Sequence, residues 1–346
     1  MGEVAGQRRR SVTRADVARL AGVSTAVVSY VINDGPRPVA DATRVRVLDA
    51  IEKLGYQPNA AARSLITGRA ELIGLVVPDI ANPYFAALAQ KVEAAARDRG
   101  LTLLLVQSAE SGMADVMAAL AGRLVAGVIT ATVPGTQAAH QLLRQQVPVV
   151  GISLFAPLGA FPCLVPDFYE GARTAVRHLL EQHGHTRVGM VTGASEPEDR
   201  ERGWRDMLLA SGLEPGAVVR VPWSMAGGRE AAAILMTEHR DLTAVFVAAD
   251  QQATGLASGV VRQGFRIPRD LAVVSFDGSP ESEFVVPALT SVAVPMDAMA
   301  REAVALALGE ATEHRGPHPT SLIVRESCGC TRPADDPSGH LQMAAP

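Results

Sequence analysis

The chain is poor in cysteine and has no apolar run of membrane-spanning length. Three of its 346 residues are cysteine, an odd number that is too small for the disulfide framework of a secreted protein. No apolar run reaches the roughly 18 residues needed to cross a bilayer. The basic residues near the start are not followed by an apolar stretch, so we expect no secretory signal, no membrane contact and a cytoplasmic protein.

The signature motifs of common enzyme classes are also missing. The sequence contains no G-x-G-x-x-G, P-loop, G-x-S-x-G or H-E-x-x-H motif and no convincing Cys/His nucleophile pair. We therefore expect no catalytic residues and no cofactor. Two short segments, Cys328-Gly329-Cys330 and His183-Gly184-His185, contain metal-ligating residue types. Because no second ligand pair stands at the usual spacing, we expect reduced thiols and an ordinary helix end there, and no metal site.

Charge is distributed unevenly along the chain. Residues 1–69 contain 11 lysines and arginines against 6 aspartates and glutamates, a net charge of +5, whereas the remainder has a net charge of −9. A basic head on an acidic body suggests that one end of the protein meets a polyanion.

Three short amphipathic helices are predicted in the first 55 residues. Thr13 caps the first, Arg14 to about Ala21, with Asp16 completing a capping box, and Ser24 caps the second, Thr25–Ile32. The third runs from about Asp41 to Leu54. Val28, Val31 and Ile32 of the second helix are expected to pack on Val17 and Leu20 of the first.

The first two helices and their short turn predict a helix-turn-helix, whose second helix enters the DNA major groove. The candidates to face DNA lie on the side of this helix opposite its apolar residues: Thr25, Ala26, Ser29, Tyr30 and Asn33.

From Glu71 onwards, apolar β-branched runs alternate with alanine-rich helical stretches. Seven such runs are apolar on both faces, as expected of central strands in parallel sheets: 72–79, 101–108, 125–130, 147–152, 187–193, 243–250 and 271–277. The alternation predicts repeated βαβ units, which could form either one barrel or two doubly wound lobes.

Several motifs in fixed order give the chain a family resemblance. Residues 12–34 (VTRADVARLAGVSTAVVSYVIND) and 39–68 resemble the lactose/galactose repressor family, and so do NPYF at 82–85, RERGW at 200–204 and RESCGC at 325–330. The resemblance implies an α/β protein with a helix-turn-helix head and a periplasmic-binding-protein-like core of two doubly wound parallel-sheet lobes. The implied function is a homodimeric transcriptional repressor that binds double-stranded operator DNA and is released by a small effector, expected to be a sugar.

The implied domains are a head (1–58), a hinge helix and linker (59–70), a core (71–330) and a disordered tail (331–346). Within the core, lobe one comprises about 71–166 and 292–320, and lobe two comprises about 167–291 and 321–330.

In the hinge, the resemblance implies that Leu65 wedges into the minor groove, with Asn59 and Arg63 also at the DNA. The alternative for the hinge is a linker whose Leu65 touches the body. Tyr30 stands where relatives often have an arginine that reads guanine, so the operator sequence is not predicted. Tyr30 could instead pack against the sugar-phosphate backbone.

The effector site is expected in the cleft at the carboxyl ends of the strands. Candidates that follow strands there are Tyr84, Phe85, Asp167, Arg200, Trp223, Asp250 and Asp277. Charged groups would bond sugar hydroxyls, and aromatic faces would cover the ring's C–H surface. Each has an alternative: Arg200 could be a helix-start ion pair, Trp223 could be core, and Asp167 and Asp250 could cap helices.

Three other functions compete with an inducible repressor. A corepressor-dependent regulator of the same fold with a non-sugar effector is the nearest alternative. A solute-binding receptor would share the core fold, but the head and the expected absence of a signal argue against it. An α/β enzyme is disfavoured by the missing motifs.

Overall fold

The computed structural model describes residues 12–33, 35, 37–56, 70–108, 125–132, 146–153, 161–193, 197–311 and 316–331. The chain divides into two compact units, Met1–Arg69 and Ala70–Pro346. The hinge residues Asn59, Arg63 and Leu65 lie outside the described residues, as does the tail beyond residue 331.

The described part of the N-terminal unit is a three-helix cluster: α1 (Arg14–Ala21), α2 (Thr25–Asn33) and α3 (Asp41–Leu54). The predicted capping box is confirmed, because the Thr13 N–H donates to Asp16 Oδ2 at 2.9 Å and the Thr13 side chain accepts from the Asp16 N–H. Helix α1 ends at Gly22, in the left-handed conformation (φ 67°) that permits a tight turn.

The core of this unit corrects one packing prediction. Val28 and Val31 are buried against α1 through Val17, as expected, but Leu20 is 52% exposed. With 3.6 residues per turn, Leu20 projects well away from the Val17–Ala21 direction. Ala18 and Ala21 fill the contact instead, so the helices pack through small side chains.

The described part of the C-terminal unit contains two separate sheets that are parallel except at one edge strand, which confirms the doubly wound lobes and excludes a barrel. The first has the order β2-β1-β3-β4-β5, with β1 (Leu72–Val77), β2 (Thr102–Gln107), β3 (Val125–Thr130), β4 (Val149–Ile152) and β5 (Cys163–Leu164). The second has the order β11-β10-β9-β8-β6-β7. Its strands are β6 (Val188–Thr192), β7 (Val218–Arg220), β8 (Ala244–Val247), β9 (Ala272–Asp277), β10 (Thr290–Ala293) and β11 (Ser321–Ile323).

Strand burial follows position in the sheet. All residues of β8 and β9 are buried, and so are five of the six in β1, whereas edge strand β2 has only exposed and half-buried residues. All described pairings are parallel except that of β11 with β10. Neither β10 nor β11 was among the predicted strands.

Six described helices flank the sheets: α4 (Pro83–Arg97), α5 (Phe168–His183), α6 (Asp199–Ala210), α7 (Met225–Glu238), α8 (Asp250–Arg262) and α9 (Met296–Ala307). Helices α4 and α9 pack on each other and on the first sheet, while α5 to α8 pack on the second or on one another. Both sheets repeat the strand order 2-1-3-4-5, which places a switch point between β1 and β3 and another between β6 and β8.

Among the described residues, no single helix has the length and apolarity to cross a membrane. Helices α1 and α2 meet that test by length and composition only when they are taken together, and they are bent by 102° at their junction.

Candidate functional site

The outer face of α2 is available to a partner. Thr25 and Ala26, at the start of the helix, are exposed, and Ser29 and Tyr30 are half-buried. The inner face is fixed by Val28 and Val31, so the sequence pattern separates an apolar face from a polar one. The side chain of Asn33 lies outside the described residues.

Tyr30 is supported by the turn that follows α2. The Gly35 N–H donates to the Tyr30 carbonyl at 3.1 Å. A Cβ atom on Gly35 would lie 2.6 Å from Tyr30 Cδ1, so glycine is required for the turn to approach the ring this closely. The tyrosine is therefore held from one side at the edge of the exposed face.

A cavity of about 380 Å³ lies at the carboxyl ends of the strands of the C-terminal unit. Five of the seven predicted effector residues line it: Tyr84, Phe85, Arg200, Trp223 and Asp277. The strand order brings them together, since Tyr84 and Phe85 follow β1, Trp223 follows β7, and Asp277 ends β9.

The other two predicted residues, Asp167 and Asp250, are not among those lining the cavity. The Asp167 carboxylate caps α5 by accepting the Glu170 N–H at 2.9 Å, which is the capping alternative. Asp250 is 2% exposed and accepts from Ser279 N–H at 2.7 Å, Ser279 Oγ at 2.9 Å and Ser291 Oγ at 2.7 Å. The capping alternative is therefore wrong for Asp250, which makes no side-chain cap bond to its own helix and instead links the segment after β9 to β10.

Sequence reasoning missed eight lining residues: Pro78, Asp79, Asn82, Ala131, Thr132, Ser153, Phe168 and Ala249. Thr132 and Ser153 follow β3 and β4, so the strand-end rule could have found them. The Ser153 hydroxyl is hydrogen-bonded to the Tyr84 hydroxyl, which fixes the tyrosine against the first sheet.

Arg200 is buried and contributes a positive charge to the lining of the cavity. Its Nε lies 2.9 Å from Glu198 Oε1, and Nη1 donates to the Ala248 carbonyl. The helix-start ion pair considered as an alternative is therefore present, in a side chain that also lines the cavity. The guanidinium carbon lies 5.0 Å from the Phe168 ring centroid and 4.9 Å from that of Trp223, distances at which a cation is attracted to an aromatic face.

Asp277 is held in an unusual backbone conformation. Its φ of 120° lies in a region that residues other than glycine rarely adopt. Such backbone strain costs of order 1–3 kcal/mol. Ser153, across the cavity, also has a positive φ (56°). Strained residues that persist at a cavity wall mark a place where orientation matters more than stability.

Burial dominates the electrostatics of the cavity wall. Burial and the neighbouring Asp250 charge raise the pKa of Asp277 well above its usual range, although Arg200 and the Asp250 N–H act in the opposite direction. Burial likewise raises the pKa of the Tyr84 hydroxyl, so this group is a neutral donor and acceptor. The wall combines one cation, the carboxyls of Asp79 and Asp277, hydroxyls and aromatic faces, a set suited to a polyhydroxylated ligand with an apolar face.

Comparisons with known proteins find similarity to bacterial transcriptional regulators along most of the chain. Residues 13–59 match the profile described as bacterial regulatory proteins, lacI family, and residues 176–328 match that of a periplasmic binding protein-like domain. The chain is 35% identical over 316 residues to the HTH-type transcriptional regulator GalR of Escherichia coli (strain K12), covering 89% of this chain and 92% of GalR.

Two solved structures share the fold over most of the chain. The lac repressor dimer bound to operator and the anti-inducer ONPF has a TM-score of 0.81 and 25% identity, covering 92% of this chain and 99% of the repressor. The complex of the transcriptional regulator CelR with cellobiose has a TM-score of 0.66 and 31% identity, covering 91% of this chain and 99% of CelR.

Proposed function

The chain belongs to the lacI family of bacterial regulatory proteins, and from this premise we propose that it is a transcriptional repressor whose operator affinity is lowered by a sugar. The observation that carries the proposal is the cavity that Arg200 and Asp277 line together with the aromatic residues Phe85 and Trp223. The CelR relative is described in complex with cellobiose, which supports a sugar as the ligand class.

The operator is bound through the exposed face of α2. Thr25 and Ala26 offer methyl groups that suit the thymine methyl in the major groove, and Ser29, Tyr30 and Asn33 complete the proposed contact set. Tyr30 offers one hydroxyl and an apolar ring, whereas an arginine at this position would form two hydrogen bonds to guanine. We therefore expect the operator half-site of this protein to differ in sequence from the half-sites of relatives that read guanine with an arginine at the position of Tyr30.

Two heads must act together, because a palindromic operator presents two half-sites about one helical turn apart. We therefore propose that the protein acts as a homodimer, the state in which the lac repressor neighbour is described. A cytoplasmic location is part of the same proposal. The hinge residues Asn59, Arg63 and Leu65 are assigned to the DNA by family resemblance. The relatives named above are regulators and not enzymes, which supports a non-catalytic role.

The sugar acts through linkage between two sites. Binding at the carboxyl ends of both sheets changes the relative orientation of the lobes, and this change alters the spacing of the two hinges and heads. A coupling free energy of about 1–3 kcal/mol lowers operator affinity roughly 5–150-fold. The cavity volume of about 380 Å³ lies in the range of roughly 300–1,000 Å³ typical of small-molecule sites.

The test is a ligand screen with a matched pair of variants. Full-length protein is screened by thermal shift against sugars and nucleosides, since a true ligand raises Tm by mass action. The hit is then added to an operator gel shift. Arg200→Lys keeps the charge but removes the planar fork, so operator binding should persist while release by the sugar is lost.

Arg202→Lys is the control, because Arg202 lies on the same helix with its side chain 60% exposed. It should respond to the sugar as the wild type does. A nucleoside hit with no sugar hit, or full release of the Arg200→Lys variant at wild-type sugar concentrations, would contradict the proposed site.

A further inference from the structure

Four side chains with nitrogen or sulfur ligand atoms meet at the C-terminal end of α5. They are His178, His183, Cys328 and Cys330, and one ligand atom of each lies within 4.8 Å of the other three. His178 Nε2 is 3.3 Å from Cys328 Sγ and 3.6 Å from Cys330 Sγ, and His183 Nε2 is 3.4 Å from Cys330 Sγ.

These separations fit a tetrahedral metal centre. With metal–sulfur bonds of about 2.3 Å and metal–nitrogen bonds of about 2.0–2.1 Å, a tetrahedral ion holds sulfur and nitrogen about 3.5 Å apart. The three nitrogen–sulfur distances bracket that value. The remaining pairs of ligand atoms lie within 4.8 Å of each other, so an ion would draw the four side chains together without moving them far. We propose that His178, His183, Cys328 and Cys330 form a structural Zn²⁺ site that is separate from the effector cavity.

The backbone between the two cysteines passes close to the histidines, so that both sulfur atoms lie near the imidazole rings. Gly329 separates the two cysteines and has a φ of 110°, which side chains disfavour. A Cβ atom there would lie 3.2 Å from His183 Nδ1, so the backbone passes close to the imidazole ring. The Thr290 hydroxyl donates to Cys328 Sγ at 3.1 Å, the kind of outer hydrogen bond that orients a ligand.

The donor set selects the ion. Two imidazoles and two thiolates favour Zn²⁺ over Mg²⁺ and Ca²⁺, which take oxygen ligands. Four protein ligands close the coordination sphere, as in structural rather than catalytic zinc sites. His178 and His183 lie on α5, and Cys328 and Cys330 follow β11, so the ion would clamp the segment after β11 to this helix.

The site is also remote from the sugar cavity. Phe168, at the start of α5, lines the cavity, whereas His183 ends the same helix. At 1.5 Å per residue, roughly 20 Å of helix separates them. Loss of the metal should therefore leave the cavity residues in place, and zinc binding can be tested independently of the proposed repressor function.

Cobalt substitution tests the proposal with full-length protein. Metal-free protein with all thiols reduced is titrated with Co²⁺. We expect one Co²⁺ per chain, with the visible bands of a tetrahedral ion and a near-ultraviolet thiolate charge-transfer band, both lost on adding Zn²⁺. Zinc should also raise the Tm of the metal-free protein. Octahedral Co²⁺ spectra only, or no binding, would overturn the proposal.

Variants then assign the ligands. Cys330→Ser and His183→Gln should lose the tetrahedral spectrum, whereas the controls Cys163→Ser and His185→Gln should keep it. Equal loss in cluster and control variants would refute the assignment. X-ray absorption of the zinc-loaded wild type does not depend on variant folding. It should give two sulfurs at about 2.3 Å and two nitrogens at about 2.0 Å, and a shell without sulfur would refute the site.

Discussion

Some residues of the cavity are held in a fixed orientation that lowers the stability of the folded protein. Asp277 is buried, backbone-strained and placed beside a second buried carboxyl, all of which disfavour the folded state. Arg200 offsets part of this cost by its positive charge. Natural binding sites often retain such unfavourable residues because function needs them, so removing the charge should separate stability from binding.

Asp277→Asn is expected to stabilise the unliganded protein and weaken sugar binding. A carboxyl whose pKa is higher in the folded than in the unfolded protein binds more protons when folded. The free energy of unfolding therefore falls as pH rises above the ordinary carboxyl pKa of about 4 and through the raised folded value. Asparagine has no charge to bury and tolerates positive φ. We expect Tm at pH 7 to rise by about 2–4 °C, the effect of roughly 1 kcal/mol.

The measurement is a series of thermal unfolding curves between pH 4 and pH 8. Stability should depend less on pH in the Asp277→Asn variant than in the wild type. Asp241→Asn, a change at an exposed aspartate, should leave the pH profile unaltered. An Asp277→Asn variant that is less stable than the wild type throughout this range would show that the carboxylate is a net stabilising group.

Gly193→Ala is expected to weaken sugar binding without touching the sugar. Gly193 follows β6, and a Cβ atom there would lie within 2.5 Å of three indole atoms of Trp223. Carbon atoms in contact keep about 3.5–4.0 Å, so the indole must move by about 1 Å and lose its place beside Arg200. We expect the sugar Kd, measured by calorimetry, to rise about tenfold, or ~1.4 kcal/mol. Operator affinity without sugar should be unchanged, and a wild-type Kd would mean that the indole does not contact the ligand.

At the scale of elements, caps and apolar periodicity predicted most of the secondary structure. The described helices α1 and α3 and the seven predicted strands agree with their predicted positions within a few residues, since each is strongly patterned. The expectation of a central position is wrong for β2, which lies at the edge of the first sheet. Strands β10 and β11 were missed because four and three residues carry too little periodicity to distinguish a strand from a loop. Their pairing is decided by β9 and by the hydrogen bonds of Thr290 and Ser327.

The sites were predictable to different degrees. The strand-end rule found Tyr84, Trp223 and Asp277, because parallel strands bring their carboxyl ends to one edge. The same rule chose Asp167 and Asp250, since sequence position does not tell whether a carboxylate points into a cleft, caps a helix as Asp167 does, or bonds to buried serines as Asp250 does. The proposed zinc ligands could not be found by spacing, because His178 and Cys328 are 150 residues apart.

The hinge element supplies a prediction that rests on the family resemblance. The segment Asn59–Leu65 has seven residues, and a helix of that length would not be stable alone because nucleation is costly. If Leu65 enters a minor-groove step, Leu65→Ala should weaken operator binding about tenfold or more and affect random DNA much less. Both affinities are measured by gel shift. Leu48→Ala, at a half-exposed leucine of α3, should keep the wild-type ratio, and equal losses on both DNAs in Leu65→Ala would remove the wedge role.

At the scale of the whole molecule, the uneven distribution of charge corresponds to the two functions of the chain, DNA binding by the head and ligand binding by the body. The first 69 residues carry +5 and the rest −9, so the acidic body repels DNA while the basic head attracts it. The proposed sugar cavity, by contrast, lies in the acidic unit and would bind its ligand through hydrogen bonds and aromatic contact. The two ligands should therefore respond differently to ionic strength.

Operator affinity should fall steeply with salt while sugar affinity should not. A dimer whose two heads neutralise roughly 6–10 phosphates gives a slope of log K against log salt of about −5 to −9, because each phosphate contact releases condensed counterions. Fluorescence anisotropy with labelled operator measures this slope between 50 and 300 mM salt. The same protein provides the control, since an uncharged sugar releases no counterions and its Kd should stay constant over that range. A slope flatter than about −2 for the operator would mean that the basic head does not grip the phosphate backbone, and the assignment of Thr25–Asn33 as the reading helix would fail with it.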